Sequence, residues 1–281
     1  MLNNLKKKLR KTEFFWRYLF NYKSSISYRM AGNNLKPYEK RIIDELKRNG
    51  IAKTSVEELQ IDPAIYQELL DALQQKEEEH KTEIENARNQ GGLTDKVEVK
   101  TFLIQLLGMY PEYDASSIYN RLARKYFQSV ANGYFEMKDT EIRDYNLWHN
   151  VPSSGPLRTS QLWHRDREDL QILKIFLYFS DVDEEAGPFT YAPGTQLQGS
   201  IKAEPEFHWE NGVKRTTNEQ MDKIVPKEKW IVGTGKKGTI VFADTHGYHK
   251  GGDVKSKDRI MLNVMFTSPA CGRNYFAGKV S

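Results

Sequence analysis

Trp163-His164-Arg165-Asp166, with His249 and Arg259 far downstream, is the stretch around which the rest of the chain is organised. On a strand, positions i and i+2 project to one face, so the imidazole of His164 and the carboxylate of Asp166 can converge on one metal. Two histidines and one carboxylate hold Fe(II) by three adjacent positions and leave three open for a cosubstrate and O2. His-x-Asp is common by chance, and what raises it here is a distant histidine in a strand context. Jelly-roll topology is the arrangement that brings such distant strands together.

Two histidines compete for the third position. His246 follows Asp244-Thr245 and lies nearer the preceding strand, whereas His249 precedes the turn Lys250-Gly251-Gly252 that leads into the next one. Arg259 opens that next strand, where a guanidinium can pair bidentately with a carboxylate. Asn263 shares its strand face and is a candidate for the same pocket. Lys174 alternates with Ile172, Phe176 and Tyr178 and so is expected either inside the barrel, beside an anionic group, or snorkelling at its rim. Trp148, Gln161 and Trp163 are candidates to line the mouth, although aromatic residues in a β-sandwich are more often core. His80, His149 and His208 carry no partner pattern and read as surface or structural histidines.

The grammar around these residues is mainly β. The run Ile172–Phe179 is apolar on both faces except for Lys174; Gly238–Phe242 and Arg259–Phe266 are further strands. Short strands separated by turns point to a sandwich, jelly roll or barrel. Residues 1–95 read as a mostly helical region packed on a β core at 96–281, the whole being compatible with one domain. In that region Pro37–Asn49 places Ile42, Ile43 and Leu46 on one face and is closed by Gly50. Thr54–Glu58 has capping character, and another helix follows Pro63. Residues 74–90 are expected as a helix extension or a linker, and 116–131 as an amphipathic helix. Residues 196–233 form an insert that reads as a lid or a surface excursion.

Composition sets the outer limits. At 281 residues with net charge +4, the chain has room for one substantial domain and no strong nucleic-acid footprint. No apolar run approaches the roughly 20 residues of a membrane span. The basic cluster Lys6-Lys7-Lys8, Arg10 and Lys11, followed by Phe14–Phe20, reads as an amphipathic helix, packed on its own domain or touching a membrane surface or partner. A lone cysteine, Cys271, fits a reducing, cytoplasmic compartment and has no base beside it in sequence.

Over roughly residues 130–268 the chain resembles the phytanoyl-CoA dioxygenase-like family of Fe(II)/2-oxoglutarate oxygenases. The matching pieces are WHRD, LYFSDVDEEAGPFTYAPGTQ, GTIVFADTHGYHKGG and Arg259. The resemblance implies a double-stranded β-helix of cupin-like jelly-roll form, with Fe(II) on His164, Asp166 and His249. It also implies Arg259 on the far carboxylate of 2-oxoglutarate, and O2 as the co-oxidant. Gln161, Lys174 and Asn263 are the further cosubstrate-contact candidates. The chain departs from the family pattern at Gln196, usually a histidine, and at Gly251, often a serine that helps hold the cosubstrate.

The activity implied is that of an oxygenase that oxidises an unactivated C–H bond of a small organic substrate while 2-oxoglutarate becomes succinate and CO2. Related halogenases free a coordination position by carrying a small residue where this chain has Asp166, so hydroxylation, desaturation or oxidative cyclisation is implied instead. The positive balance and Lys174 tilt the expected substrate toward an acidic small molecule. Two alternatives remain at this point: a cupin-type metalloprotein with non-oxidative chemistry, and a non-catalytic binding protein on the same fold.

Overall fold

The computed structural model describes residues 9, 12–32, 34–90, 102–153 and 156–277. Its centre is a six-stranded antiparallel sheet built from β1 (Ile51–Ser55), β2 (Leu103–Gln105), β3 (Glu141–Asn150), β4 (Leu173–Tyr178), β9 (Thr239–Asp244) and β11 (Arg259–Thr267). They lie in the order β1-β9-β4-β11-β3-β2. A smaller sheet contains β5 (Thr190–Tyr191), β8 (Ile231–Val232) and β10 (His249–Lys250) in the order β10-β5-β8. Two further strands, β6 (His208–Glu210) and β7 (Val213–Arg215), pair with each other. The architecture is a jelly-roll core with flanking helices, mainly β as its sequence pattern predicts.

The continuous apolar character of β4 reflects a sheet covered on both faces. Leu173, Ile175 and Leu177, all fully buried, join the helices in one core that includes Ile42, Leu46, Phe127 and Val130. Each such side chain contributes about 1.5–3 kcal/mol on burial. The alternate residues Lys174 and Phe176 face the other way, into a cavity beneath the smaller sheet.

The helix Pro37–Asn49 forms where expected and buries Ile42, Ile43 and Leu46. The Glu39 carboxylate accepts from the Lys36 N–H at its start, at 2.8 Å. Gly50 ends it in the left-handed region at φ 79°, and an added Cβ would lie 2.3 Å from the Tyr191 hydroxyl. The helix after Pro63 runs to Glu79, and a second, Lys81–Asn89, occupies most of the stretch read as extension or linker. The amphipathic segment expected over 116–131 begins at Ile118 and reaches Phe135 through a π turn at Ala123–Phe127.

Residues 51–55 depart from the expected helical region. They form β1, whose main chain pairs with β9 from Ile51↔Ala243 to Ser55↔Thr239. Thr54, read as part of a helix cap, lies within this edge strand, so the N-terminal region and the β core share one sheet as well as one apolar core. At the N-terminus Trp16 donates to Asp169 at 2.6 Å and Arg17 to the Phe135 carbonyl at 2.8 Å, while Phe14, Tyr18 and Leu19 stay exposed. The cluster Lys6-Lys7-Lys8, Arg10 and Lys11 lies outside the described residues. No helix among the described residues is long and apolar enough to cross a membrane.

Candidate active site

His164 and Asp166 sit on an irregular segment rather than a regular strand, and single main-chain bonds hold it. His164 exchanges backbone hydrogen bonds with His249 at 2.9 and 3.0 Å, and the Asp166 N–H donates to the Thr245 carbonyl at 2.9 Å. These ties place both imidazoles side by side, ring centroids 4.3 Å apart. The Nδ1 of His164 lies 2.9 Å from the Leu162 carbonyl and that of His249 lies 3.0 Å from the Gly247 carbonyl. Each carbonyl fixes the proton on Nδ1 and leaves Nε2 with a free lone pair. The two Nε2 atoms then lie 4.0 and 3.9 Å from the oxygens of Asp166. One ligand atom from each of the three residues falls within 4.8 Å of the others, and no further histidine, cysteine or acid joins them among the described residues.

The electrostatics suit a divalent cation. Burial, reinforced by neighbouring charge, holds His164 well below the ordinary histidine range, and burial pushes His249 down to about 4. Both are therefore neutral donors at pH 7. Burial alone would raise the Asp166 carboxyl, but the Lys174 ammonium outweighs it and keeps the group ionised. Lys174 thus points inward, its Nζ 2.7 Å from Asp166 Oδ2. The anionic group expected beside it is the carboxylate of the constellation itself.

His246 stands apart from the cluster. Its main-chain N–H donates to Asp244 Oδ1 at 3.0 Å, and Asp244 also accepts from the Tyr134 hydroxyl at 2.6 Å. This braces the turn between β9 and β10. On the far side of that turn Gly252 passes so close to Gly187 that an added Cβ would meet its carbonyl carbon at 2.2 Å.

The trio opens into a cavity of about 560 Å³ that Arg259, Gln161 and Trp148 also line. Arg259 is 4% exposed, yet its Nε and Nη1 have no hydrogen-bond partner. Burial without a carboxylate pushes this guanidinium down to about 10. A buried, unpaired cation is costly, and the carboxylate end of a diacid would relieve it. A Cβ at Gly251 would stand in ordinary contact with the Ser160 carbonyl, at 3.4 Å, and with Arg259 Nη2, at 3.9 Å. Asn263 is fully buried on the same strand with neither amide atom bonded. The Gln161 amide reaches Asp253 at 3.2 Å while its oxygen accepts from the Arg158 N–H at 3.2 Å.

Some expectations need correction. Of its two readings, Trp163 takes the core one rather than the mouth: it is fully buried against Trp230, 4.7 Å away, and donates to Asn218 at 2.9 Å. His149 is buried between Glu77 and Asp258, at 3.0 and 2.7 Å, so it has partners that its sequence surroundings did not announce. Cys271 is buried against the Glu168 carbonyl. The chief omission is Arg215, a cavity residue from the insert. Asn211-Gly212 between short β-prone runs is a hairpin signal that would have located its strand, though not its direction.

The model of the phytanoyl-CoA dioxygenase (PhyH) family matches residues 48–261. The chain belongs to this family. As a PhyH protein it is a 2-oxoglutarate-dependent non-haem iron oxygenase whose cofactor set is Fe(II), 2-oxoglutarate and O2, and the non-oxidative and non-catalytic alternatives fall away. The PhyH fold is shared with EctD from S. alaskensis, solved with 2-oxoglutarate and 5-hydroxyectoine, at 16% identity and TM-score 0.55 over 89% of this chain and 84% of that one. AviO1 from Streptomyces viridochromogenes Tue57 superposes with TM-score 0.52 at 17% identity, covering 85% of this chain and 98% of that one. The epimerase SnoN, in complex with Fe3+, alpha ketoglutarate and nogalamycin RO, gives 0.50 at 13% identity over 82% and 84%. No curated protein matches the sequence significantly.

Proposed function

We propose that this PhyH protein oxidises an unactivated C–H bond of a small organic substrate by hydroxylation, desaturation or oxidative cyclisation. The observation that carries the reading is one cavity holding two free imidazole Nε2 atoms, an ionised carboxylate and an unpaired guanidinium. His164, Asp166 and His249 are the residues for Fe(II), and Arg259 the residue for the far carboxylate of 2-oxoglutarate. Bound iron with 2-oxoglutarate and O2 supplies the oxidising power, one oxygen atom leaving in succinate beside CO2 and the other, in hydroxylation, entering the substrate.

The chain's own part is orientation and exclusion of water. Lys174 holds Asp166 ionised and fixed in direction. Phe189 stacks on the His249 ring, centroids 5.4 Å apart, and shields it. Asn263 and Gln161 are secondary candidates for cosubstrate contact, Asn263 because its amide is otherwise unsatisfied. An acidic substrate fits the cationic groups around the cavity, and the lone cysteine supports a cytoplasmic setting. The exposed Phe14, Tyr18 and Leu19 support contact with a membrane surface or partner as a separate proposal, which liposome co-sedimentation tests.

The decisive experiment is anaerobic addition of Fe(II) and 2-oxoglutarate to the purified protein. A weak visible charge-transfer band is expected, followed by succinate formation that rises with substrate when a panel of small carboxylic acids is screened in air. A chain that shows no band at saturating Fe(II) and 2-oxoglutarate is not an oxygenase of this type.

A further inference from the structure

The insert is tied to the smaller sheet rather than being an excursion from it. β6 and β7 pair as a hairpin across Asn211-Gly212. Both turn residues have positive φ, 49° and 73°, the geometry of a tight turn that matches strand twist. Just beyond β7, Thr216 exchanges main-chain hydrogen bonds with Trp163 at 3.0 and 3.2 Å. The neighbouring His164 is bridged to His249 on its other side. The ladder therefore runs from the hairpin through residues 163–164 to β10, and its antiparallel register sets Arg215 opposite His164. Successive side chains alternate: Thr216 turns away to the Glu206 carbonyl at 2.5 Å, and Arg215 turns into the cavity.

Arg215 is 8% exposed, and its Nε and Nη1 have no hydrogen-bond partner. Its one close carboxylate, Glu210, forms a loose ion pair with Oε2 3.6 Å from Nε, beyond hydrogen-bond reach, and also accepts from the Thr159 N–H at 3.1 and 3.2 Å. The cavity thus holds two guanidinium groups with unmet donors, Arg259 on the large sheet with no carboxylate beside it and Arg215, only loosely paired with Glu210, on the hairpin joined to the small one. A single cosubstrate presents one carboxylate away from the metal, which leaves one guanidinium for something else.

We infer that Arg215 binds an oxyanion, carboxylate or phosphate, carried by the organic substrate, and so selects acidic over neutral substrates at the metal centre. This rests on the oxygenase reading above. The partition follows the elements. Arg259 stands beside the side-chain-free Gly251, whereas Arg215 stands beside His164, on a hairpin flanked by the exposed aromatics Phe207 and Trp209. A planar fork in a buried site favours bidentate pairing, and a neutral isostere would leave its donors unmet.

The test uses wild-type protein loaded anaerobically with Fe(II) and 2-oxoglutarate, and three probes: 3-phenylpropionate, phenyl phosphate and 3-phenylpropanol. Binding is read from perturbation of the charge-transfer band. At least one acid should bind tenfold or more tighter than the alcohol, and which one wins separates carboxylate from phosphate. R215M should erase that preference while leaving the 2-oxoglutarate titration of the band within about threefold of wild type, and R215K should keep part of it. Equal binding of acid and alcohol by wild type, or binding of none of the three, overturns the inference. So does a tenfold or larger loss of 2-oxoglutarate affinity in R215M, which would make Arg215 the cosubstrate's partner. Absence of the band in wild type would strike the oxygenase reading itself, a distinguishable result.

Discussion

Replacing Arg259 with methionine should move stability and cosubstrate affinity in opposite directions. In the unloaded protein the guanidinium is 4% exposed and two of its nitrogens lack partners. Removing a buried, uncompensated charge while keeping its volume should be neutral or stabilising by about 1 kcal/mol or more. Loaded protein behaves differently, because each hydrogen bond to a charged group contributes about 1.5–3 kcal/mol. Two such bonds to a carboxylate give at least about 3 kcal/mol, which at 1.4 kcal/mol per tenfold is a loss of about 100-fold in 2-oxoglutarate affinity. Urea unfolding of unloaded wild type and R259M measures the first effect. Titration of the charge-transfer band under argon measures the second, and the thermal stabilisation that 2-oxoglutarate confers on wild type should shrink in parallel. If R259M unfolds several kcal/mol more easily and still binds 2-oxoglutarate within threefold of wild type, Arg259 is a structural residue and the argument from its missing partners fails.

The other expectations concern the ligands and their surroundings. Asp166→Ala and His249→Ala should abolish the Fe(II)/2-oxoglutarate band, whereas His246→Ala should retain it, since His246 lies outside the cluster. Lys174→Met should weaken Fe(II) binding by about 10–100-fold, as loss of a group that orients a ligand does, with a smaller change in 2-oxoglutarate affinity; metal titration by competition with a chelator measures this. The pH dependence arises from three buried histidines, His164, His246 and His249, each held below the ordinary range by burial. The pKa of His249 falls from 6.5 unfolded to about 4 folded, so the unfolded chain holds more protons between these values. Stability of the metal-free protein should therefore decline as pH drops from about 6.5 toward 4, and Fe(II) retention should decline with it. His249→Gln should reduce the slope of the stability curve in that window without abolishing it, since His164 and His246 remain, a point that denaturant melts across pH would settle.

Legibility in the chain depends on how local each determinant is. The helix Pro37–Asn49 announces itself through a proline at its start, a three-residue apolar face and a closing glycine, all within one stretch. Strand alternation left Lys174 open between the barrel interior and its rim, and its partner was not legible at all: Asp166 comes from a separate segment, and only the fold sets their 2.7 Å approach. β1 was missed for the same reason. Ile51–Ser55 carries no alternation strong enough to outvote the helices on either side, and it becomes a strand because β9 offers it an edge. Tertiary pairing overrides weak local preference in such segments. Arg215 is the extreme case. No spacing connects it to His164-x-Asp166, and nothing around it in sequence distinguishes it from the surface cations of the insert. Its position depends on the bonds between Thr216 and Trp163, which carry the hairpin's alternation onto the metal ladder. A charge whose meaning is set by register across two separate segments becomes readable only when both are in place.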